Sequence, residues 1–169
     1  MKIKLSTRWF VWLFAVATLS GCSSWFHSDP PPVPDQDTTP STMTFSMVTT
    51  NTINPNAKGN ASPVELRVFE LQDDSMFTSA SYDQLINDFK QALKSNFIKD
   101  YDYVVLPNHF KFVEPLTLNN DTRYIGVMAF YSDSDHSEWK KVVEVKPFGH
   151  DYHILIYLNN NDVTLERVQ

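Results

Sequence analysis

Eight consecutive residues, Tyr124-Ile125-Gly126-Val127-Met128-Ala129-Phe130-Tyr131, carry no charged side chain. Successive side chains of an extended chain point to opposite faces, so such a run has two apolar faces and both must be covered. This predicts a central strand held between two layers, with Gly126 marking a point of close approach inside it. A chain built around such a strand needs neighbouring strands on either side.

The sequence supplies them. Residues 43–53, 64–71, 101–106, 110–118, 122–132, 139–146, 152–158 and 163–168 are rich in Val, Ile, Phe and Tyr and are bounded by turn-forming residues, which gives about eight strands at the spacing of a β-sandwich. In Val64-Glu65-Leu66-Arg67-Val68 the alternation is clean, and Phe69-Glu70-Leu71 continues in the opposite phase, as a β-bulge would cause. Pro115 removes a ladder donor, so its strand is expected at an edge or broken there. One segment departs from the β pattern: Tyr82, Leu85, Ile86, Phe89 and Leu93 recur at helical intervals, and Ser81 with Gln84 has the form of a capping box. The expectation is one small amphipathic helix, packed by its apolar face onto the sheet.

The amino terminus is of a different kind. Lys2, Lys4 and Arg8 precede an apolar stretch from Trp9 to Leu19, too short to cross a bilayer, and Leu19-Ser20-Gly21-Cys22 follows it as a lipobox. Residues 1–21 therefore read as a lipoprotein signal peptide and Cys22, the single cysteine of the chain, as the acylated residue. Several acyl chains at about 0.8 kcal/mol per buried methylene hold a protein on a membrane almost permanently. Ser23 after the cysteine, in place of Asp, favours the outer membrane over the inner, with the domain in the periplasm. Residues 22–42 form the lipidated terminus and a linker, in which Pro30, Pro31, Pro32, Pro34 and Pro40 impose an extended chain that stands the domain off the lipid surface. Residues 43–169 remain for one β-sandwich domain.

Removing the signal takes three cations and no carboxylate, leaving eleven Lys and Arg against twenty Asp and Glu, a formal charge of −9. That balance argues against nucleic acid and anionic lipid as partners. Motifs for chemistry are thin. His150 and His153 project from opposite faces of an extended run, which separates them as ligands of one metal ion. Asp133-Ser134-Asp135-His136-Ser137-Glu138 has the carboxylate density of a calcium loop but lacks its glycine and its bidentate glutamate, so a solvated hairpin turn is the expected use. There is no nucleophile elbow, no zinc-protease pair and no phosphate-cradling glycine loop. The expectation is no enzyme and no cofactor, the covalent lipid on Cys22 apart. Two glycosylation sequons, at Asn60 and Asn120, carry no weight beside a bacterial lipobox.

With these pieces in order, the chain resembles the outer-membrane lipoprotein family of type VI secretion, TssJ (SciN, VasD). The resemblance spans residues 43–168. It rests on Pro63-Val64-Glu65-Leu66-Arg67-Val68-Phe69-Glu70-Leu71, on Phe77 and the helix with Leu85, and on Thr122-Arg123-Tyr124-Ile125-Gly126-Val127 continued by Ala129-Phe130-Tyr131 and Trp139. The helical segment reads Ser81-Tyr82-Asp83-Gln84-Leu85-Ile86 where the family has an Ala-Asp-Phe run leading to Leu-Tyr. What the resemblance implies is a transthyretin-like β-sandwich with a small helical addition and a structural role. Such a protein is tied by lipid to the outer membrane and binds the periplasmic carboxyl-terminal domain of the inner-membrane component TssM. The family's contact loop joins the first two strands, which here is Asn54-Pro55-Asn56-Ala57-Lys58-Gly59-Asn60-Ala61-Ser62. Read from its residues alone, that segment is an ordinary polar hairpin connection without a large apolar anchor.

Two other functions fit a lipid-tethered sandwich: binding a small apolar ligand or cell-wall glycan, or assisting a different envelope machine. A ligand site would need aromatics on loops around a pocket, whereas Phe130, Tyr131, Trp139, Tyr152 and Tyr157 are expected within strands as core.

Overall fold

The computed structural model describes residues 38–168. In chain order the elements are β1 (Thr42–Thr49), β2 (Val64–Leu71), α1 (Ser75–Ser79), α2 (Tyr82–Leu93), a 3-10 turn (Lys94–Asn96), β3 (Phe97–Val105), β4 (Phe110–Thr117), β5 (Tyr124–Ala129), a second 3-10 turn (Ser134–His136), β6 (Lys140–Glu144), β7 (Asp151–Asn159) and β8 (Asp162–Val168). They form two four-stranded sheets, ordered β4-β1-β7-β8 and β3-β2-β5-β6. All pairings are antiparallel except β1 with β7, which run parallel in register from Thr42 with Asp151 to Thr49 with Leu158. This is the expected β-sandwich.

The core between the sheets follows from period-two alternation. Met43, Phe45 and Met47 of β1, Val64, Leu66 and Val68 of β2, Ile125, Val127 and Ala129 of β5, and Ile154, Ile156 and Leu158 of β7 all point inward and are buried. A second cluster lies on the other side of β3-β2-β5-β6, where Phe69, Leu71 and Met128 meet Phe77, Leu85 and Leu93 of the helical segment. Strand β5 is thus covered on both faces, as its sequence requires. At Gly126 a Cβ would come within 3.1 Å of the Phe77 ring, so the close approach is made by an aromatic side chain.

Several expectations are corrected. The change of phase in β2 is not a bulge at Val68. The strand stays in phase, Phe69 and Leu71 face the helices, and Glu70 faces the sandwich interior, so buried residues follow one another on both sides. The register shift occurs two residues later, between Glu70 and Leu71, in the pairing with β3. The expected amphipathic helix is α2, and a five-residue α1 precedes it within the same insertion. Ser81 and Gln84 do form a capping box, with Gln84 N donating to Ser81 Oγ at 3.2 Å and Ser81 N to Gln84 Oε1 at 2.8 Å. Inside α2, however, Asp88 leaves helical geometry at φ −156° and ψ 81°, and its carboxylate accepts from Gln91 N at 3.0 Å to restart the helix. The kink resets the apolar face: Leu85 and Leu93 are buried, and Ile86 turns out to 41% exposure. Pro115 meets both expectations, since β4 is an edge strand and its register with β1 jumps between Met43 with Leu116 and Phe45 with Val113.

Lys140 fastens the helices to the sheet. Its ammonium donates to the carbonyls of Phe77, Thr78 and Ala80 at 2.9, 2.7 and 2.7 Å, which closes the carboxyl end of α1 where a cation is favoured. Partial burial holds this ammonium below the usual lysine range.

Candidate functional site

Strand β1 sets the polarity of the domain. The chain enters at its start, where Ser41 N donates to Pro147 O at 2.7 Å and Gly149 N to Thr39 O at 2.8 Å. The β1–β2 loop leaves from its far end, about 25 Å away at 3.3 Å per strand residue. The entry of the chain into β1 and the β1–β2 loop are therefore at opposite ends of the sandwich.

The loop is anchored before it becomes a surface. Ile53 is fully buried and Asn54 is 4% exposed, with a left-handed φ of 45° that asparagine tolerates. Asn54 Nδ2 donates to Pro63 O at 2.9 Å across the neck of the loop, and Asn54 Oδ1 accepts from Ser132 N at 2.8 Å in the β5–β6 connection. Asn54 N donates to Asn160 O at 2.7 Å in the β7–β8 turn. Asn54, expected as part of the contact surface, is thus a pin that joins three loops.

Beyond the pin the tip shapes itself. Asn56 Oδ1 accepts from Lys58 N at 2.9 Å and Asn60 N at 3.1 Å, while Asn56 O accepts from Gly59 N at 2.7 Å and Asn60 O from Asn56 N at 2.8 Å. This is an Asx turn closed by Gly59 at φ +78°, a value that favours glycine. Asn56, Ala57, Lys58, Gly59 and Asn60 are exposed, Pro55, Ala61 and Ser62 half-buried. Such a tip offers a rigid set of polar backbone groups and one ammonium, without a large apolar side chain.

Its neighbours are acidic. The β5–β6 connection, which is the solvated hairpin turn expected of that segment, carries Asp133, Asp135 and Glu138, and β8 opens with Asp162 just after the β7–β8 turn. Glu138 N donates to Asn161 O at 3.1 Å, and Val163 N to Glu138 O at 2.9 Å, so the two turns are locked together. The Lys141 ammonium at 2.9 Å holds the Glu138 carboxyl below the usual range, and the hydrogen bond that His136 Nδ1 donates to the Asp133 carboxylate at 2.9 Å raises the His136 imidazole. Beneath them Tyr131 is 3% exposed, and burial pushes its phenol far up. Its hydroxyl and Asn161 Oδ1 have no hydrogen-bond partner among the described residues.

The opposite end holds a buried carboxylate. Glu70 is fully buried and accepts from Tyr101 Oη at 2.6 Å, Thr122 Oγ1 at 2.6 Å and Asn119 N at 2.9 Å. These donors replace water and make this end stiff.

The remaining candidates are dispersed. His150 bonds Phe148 O and stacks on Tyr152, whereas His153 faces outward against Thr44 and Phe112. Among the described residues no group of three or more His, Cys, Asp or Glu is placed to hold a metal ion. Tyr131 and Tyr152 are core, but Phe130, Tyr131 and Trp139 lie just outside β5 and β6, and Phe130 lies under the Arg67 guanidinium. A groove of about 490 Å³ runs between α1 and α2, lined by residues such as Met76, Asp83, Asn87 and Gln91 and by none of those aromatics. Leu19, Ser20, Gly21 and Cys22 of the lipobox and the prolines at 30–34 lie outside the described residues. No described helix is long and apolar enough to cross a membrane.

Two sheets, a helical layer on one of them and a fastened loop cluster at one end define a transthyretin-like β-sandwich domain of the kind found in solved TssJ structures. The chain belongs to the type VI secretion lipoprotein family (VasD, EvfM, TssJ), whose model matches residues 41–161. TssJ1, a type VI lipoprotein of Pseudomonas aeruginosa, superposes with a TM-score of 0.72 at 26% identity, over 77% of this chain and 98% of that one. Lip of Serratia marcescens, a membrane-bound component of its type VI secretion system, shares the fold with a TM-score of 0.64 at 23% identity, over 77% and 97%. A chain in the structure of the TssM C-terminal domain (869–1107) from EAEC matches with a TM-score of 0.63 at 25% identity, over 75% and 98%. No curated protein matches the chain in sequence.

Proposed function

We propose that this lipoprotein is a passive anchor of the type VI membrane complex, acylated at Cys22, held on the periplasmic side of the outer membrane, and bound through its β1–β2 loop end to the periplasmic carboxyl-terminal domain of TssM. The observation that carries this reading is the placement of linker entry and loop at opposite ends of β1, with the loop tip pre-shaped by Asn56 and fixed by Asn54. A tether and a binding surface at opposite ends let tension pass along a strand ladder that resists it. Pre-organisation also lowers the ordering cost of binding. Family membership and the match to a chain in the TssM domain structure support the partner assignment. Catalysis has no part in this role, and no cofactor is needed beyond the covalent lipid.

Binding of the full mature lipoprotein in detergent to the cognate TssM domain tests it, beside a variant whose Asn56–Asn60 tip is replaced by a Gly-Ser turn. Saturable micromolar or tighter binding that the tip variant loses while keeping its fold is expected. Binding that survives the replacement moves the interface away from the loop. Cys22→Ser separates tethering from folding: the folded protein should leave the membrane fraction.

A further inference from the structure

The two outer faces of the sandwich are unequal. The face of β3-β2-β5-β6 lies under the helices, whereas no described element packs over β4-β1-β7-β8. With Met43, Phe45 and Met47 inward on β1 and Ile154, Ile156 and Leu158 inward on β7, alternation turns Val48, Leu155 and Tyr157 outward, together with Phe110 and Phe112 of β4. Register makes them neighbours. Val48 pairs with Phe110 on one side and Tyr157 on the other, and Ser46, one row along, lies between Phe112 and Leu155. Phe110 is 59% and Phe112 47% exposed, on a face where a sheet meeting only water would carry polar residues.

The charges on this face have one sign. Its outward positions hold Glu114, Asp151 and Glu166. The cations of the same strands are turned away: Lys111 stands over the Tyr103 ring at 5.3 Å, and Arg167 lies 5.7 Å from the Tyr152 ring centre and donates to Glu144 O. His153, at 2.7 Å from Thr44 Oγ1 and 6.2 Å from the Phe112 ring, is the one basic group of these four strands that faces out among the described residues.

We infer that this face is the apolar half of the interface whose polar half is the β1–β2 loop, and that its occupant is a surface of the same partner, apolar at its centre and rimmed with Lys or Arg. The inference rests on the partner reading above. The two halves are continuous, since Val48 is the penultimate residue of β1 and the loop follows directly. The loop tip lacks the buried aromatic anchors that carry most binding energy, and Phe110, Phe112 and Tyr157 supply them. Pro115 and the register jump blunt the edge of β4, so the partner packs on the face and does not add a strand.

The test compares the full mature lipoprotein with a Phe110→Ser, Phe112→Ser double variant and with Ile86→Ser, which is exposed on the helical side, for binding to the cognate TssM domain. The double variant should bind at least about tenfold more weakly and Ile86→Ser should bind as wild type. Equal binding by the double variant overturns this inference and leaves the loop reading standing. No binding by wild type overturns both. A wild-type dimer in sedimentation that the double variant loses assigns the face to a second copy and also overturns the inference. Should the double variant melt early, Glu114→Lys with Glu166→Lys decides: weakened binding supports the cationic rim, and unchanged binding removes it.

Discussion

Asn54 Oδ1 accepts a hydrogen bond from Ser132 N at 2.8 Å, and through that contact a residue of the first loop fixes a connection 78 positions away. The same amide donates to Pro63 O, so one buried side chain sets both the neck of the β1–β2 loop and its position against the β5–β6 hairpin.

Asn54→Ala should therefore destabilise the domain by about 2–4 kcal/mol, because it orphans two backbone groups and leaves a left-handed φ to alanine. Asn54→Asp keeps the acceptor for Ser132 N but sets a second oxygen against the Pro63 carbonyl. Urea unfolding should rank wild type above both variants, and an alanine variant as stable as wild type would remove the pin.

Gly126→Ala should cost about 1–3 kcal/mol, since the new methyl meets the Phe77 ring at 3.1 Å and Leu71 Cδ1 at 3.2 Å. Pairing it with Phe77→Leu should recover part of the loss. Additive melting temperatures would show that the ring is not the obstacle.

Glu70→Ala should cost about 3 kcal/mol or more, as Tyr101 Oη, Thr122 Oγ1 and Asn119 N lose their acceptor together. Burial first, then the hydrogen bond to Glu70, hold the Tyr101 phenol far above the usual tyrosine range. Alkaline spectrophotometric titration should show Tyr101 ionising only as the fold is lost, and earlier in the Glu70 variant.

His136 gives a pH dependence of known sign. The hydrogen bond with Asp133 and then its charge, with Asp135 adding to it, raise the folded-state imidazole above the ordinary value of about 6.5. The stabilisation is fully present below the unfolded value and disappears as pH rises through the folded one. The pair is solvent-exposed, so the effect on stability is slight and the titration itself is the readout. NMR should show His136 titrating above its position in Asp133→Asn, and coincident curves would contradict the contact.

Much of the architecture was legible because it obeys short periods. The two-sided covering of β5, the capping box at Ser81 and Gln84 and the edge position of Pro115 each follow from a handful of adjacent residues. Where the reading went wrong, a distant or singular feature intervened. Ile86 fell on the apolar stripe only for an unbroken helix, and Asp88 breaks it. Phe69 looked out of phase because two different layers claim alternate residues of β2. Asn54 read as one more turn former, since its decisive partner, Ser132, is remote in sequence. Phe110 and Phe112 passed as strand residues because alternation reveals which residues share a face and not whether that face is covered.

The most direct test of the central claim places a photo-crosslinking residue at Lys58, on the loop tip, and separately at Asn120, at the linker end, in cells with an assembled type VI system. The account predicts an adduct with TssM from Lys58 and none from Asn120. An adduct from Asn120 with none from Lys58 would contradict it, because the partner would then lie at the end of the sandwich from which the tether leaves.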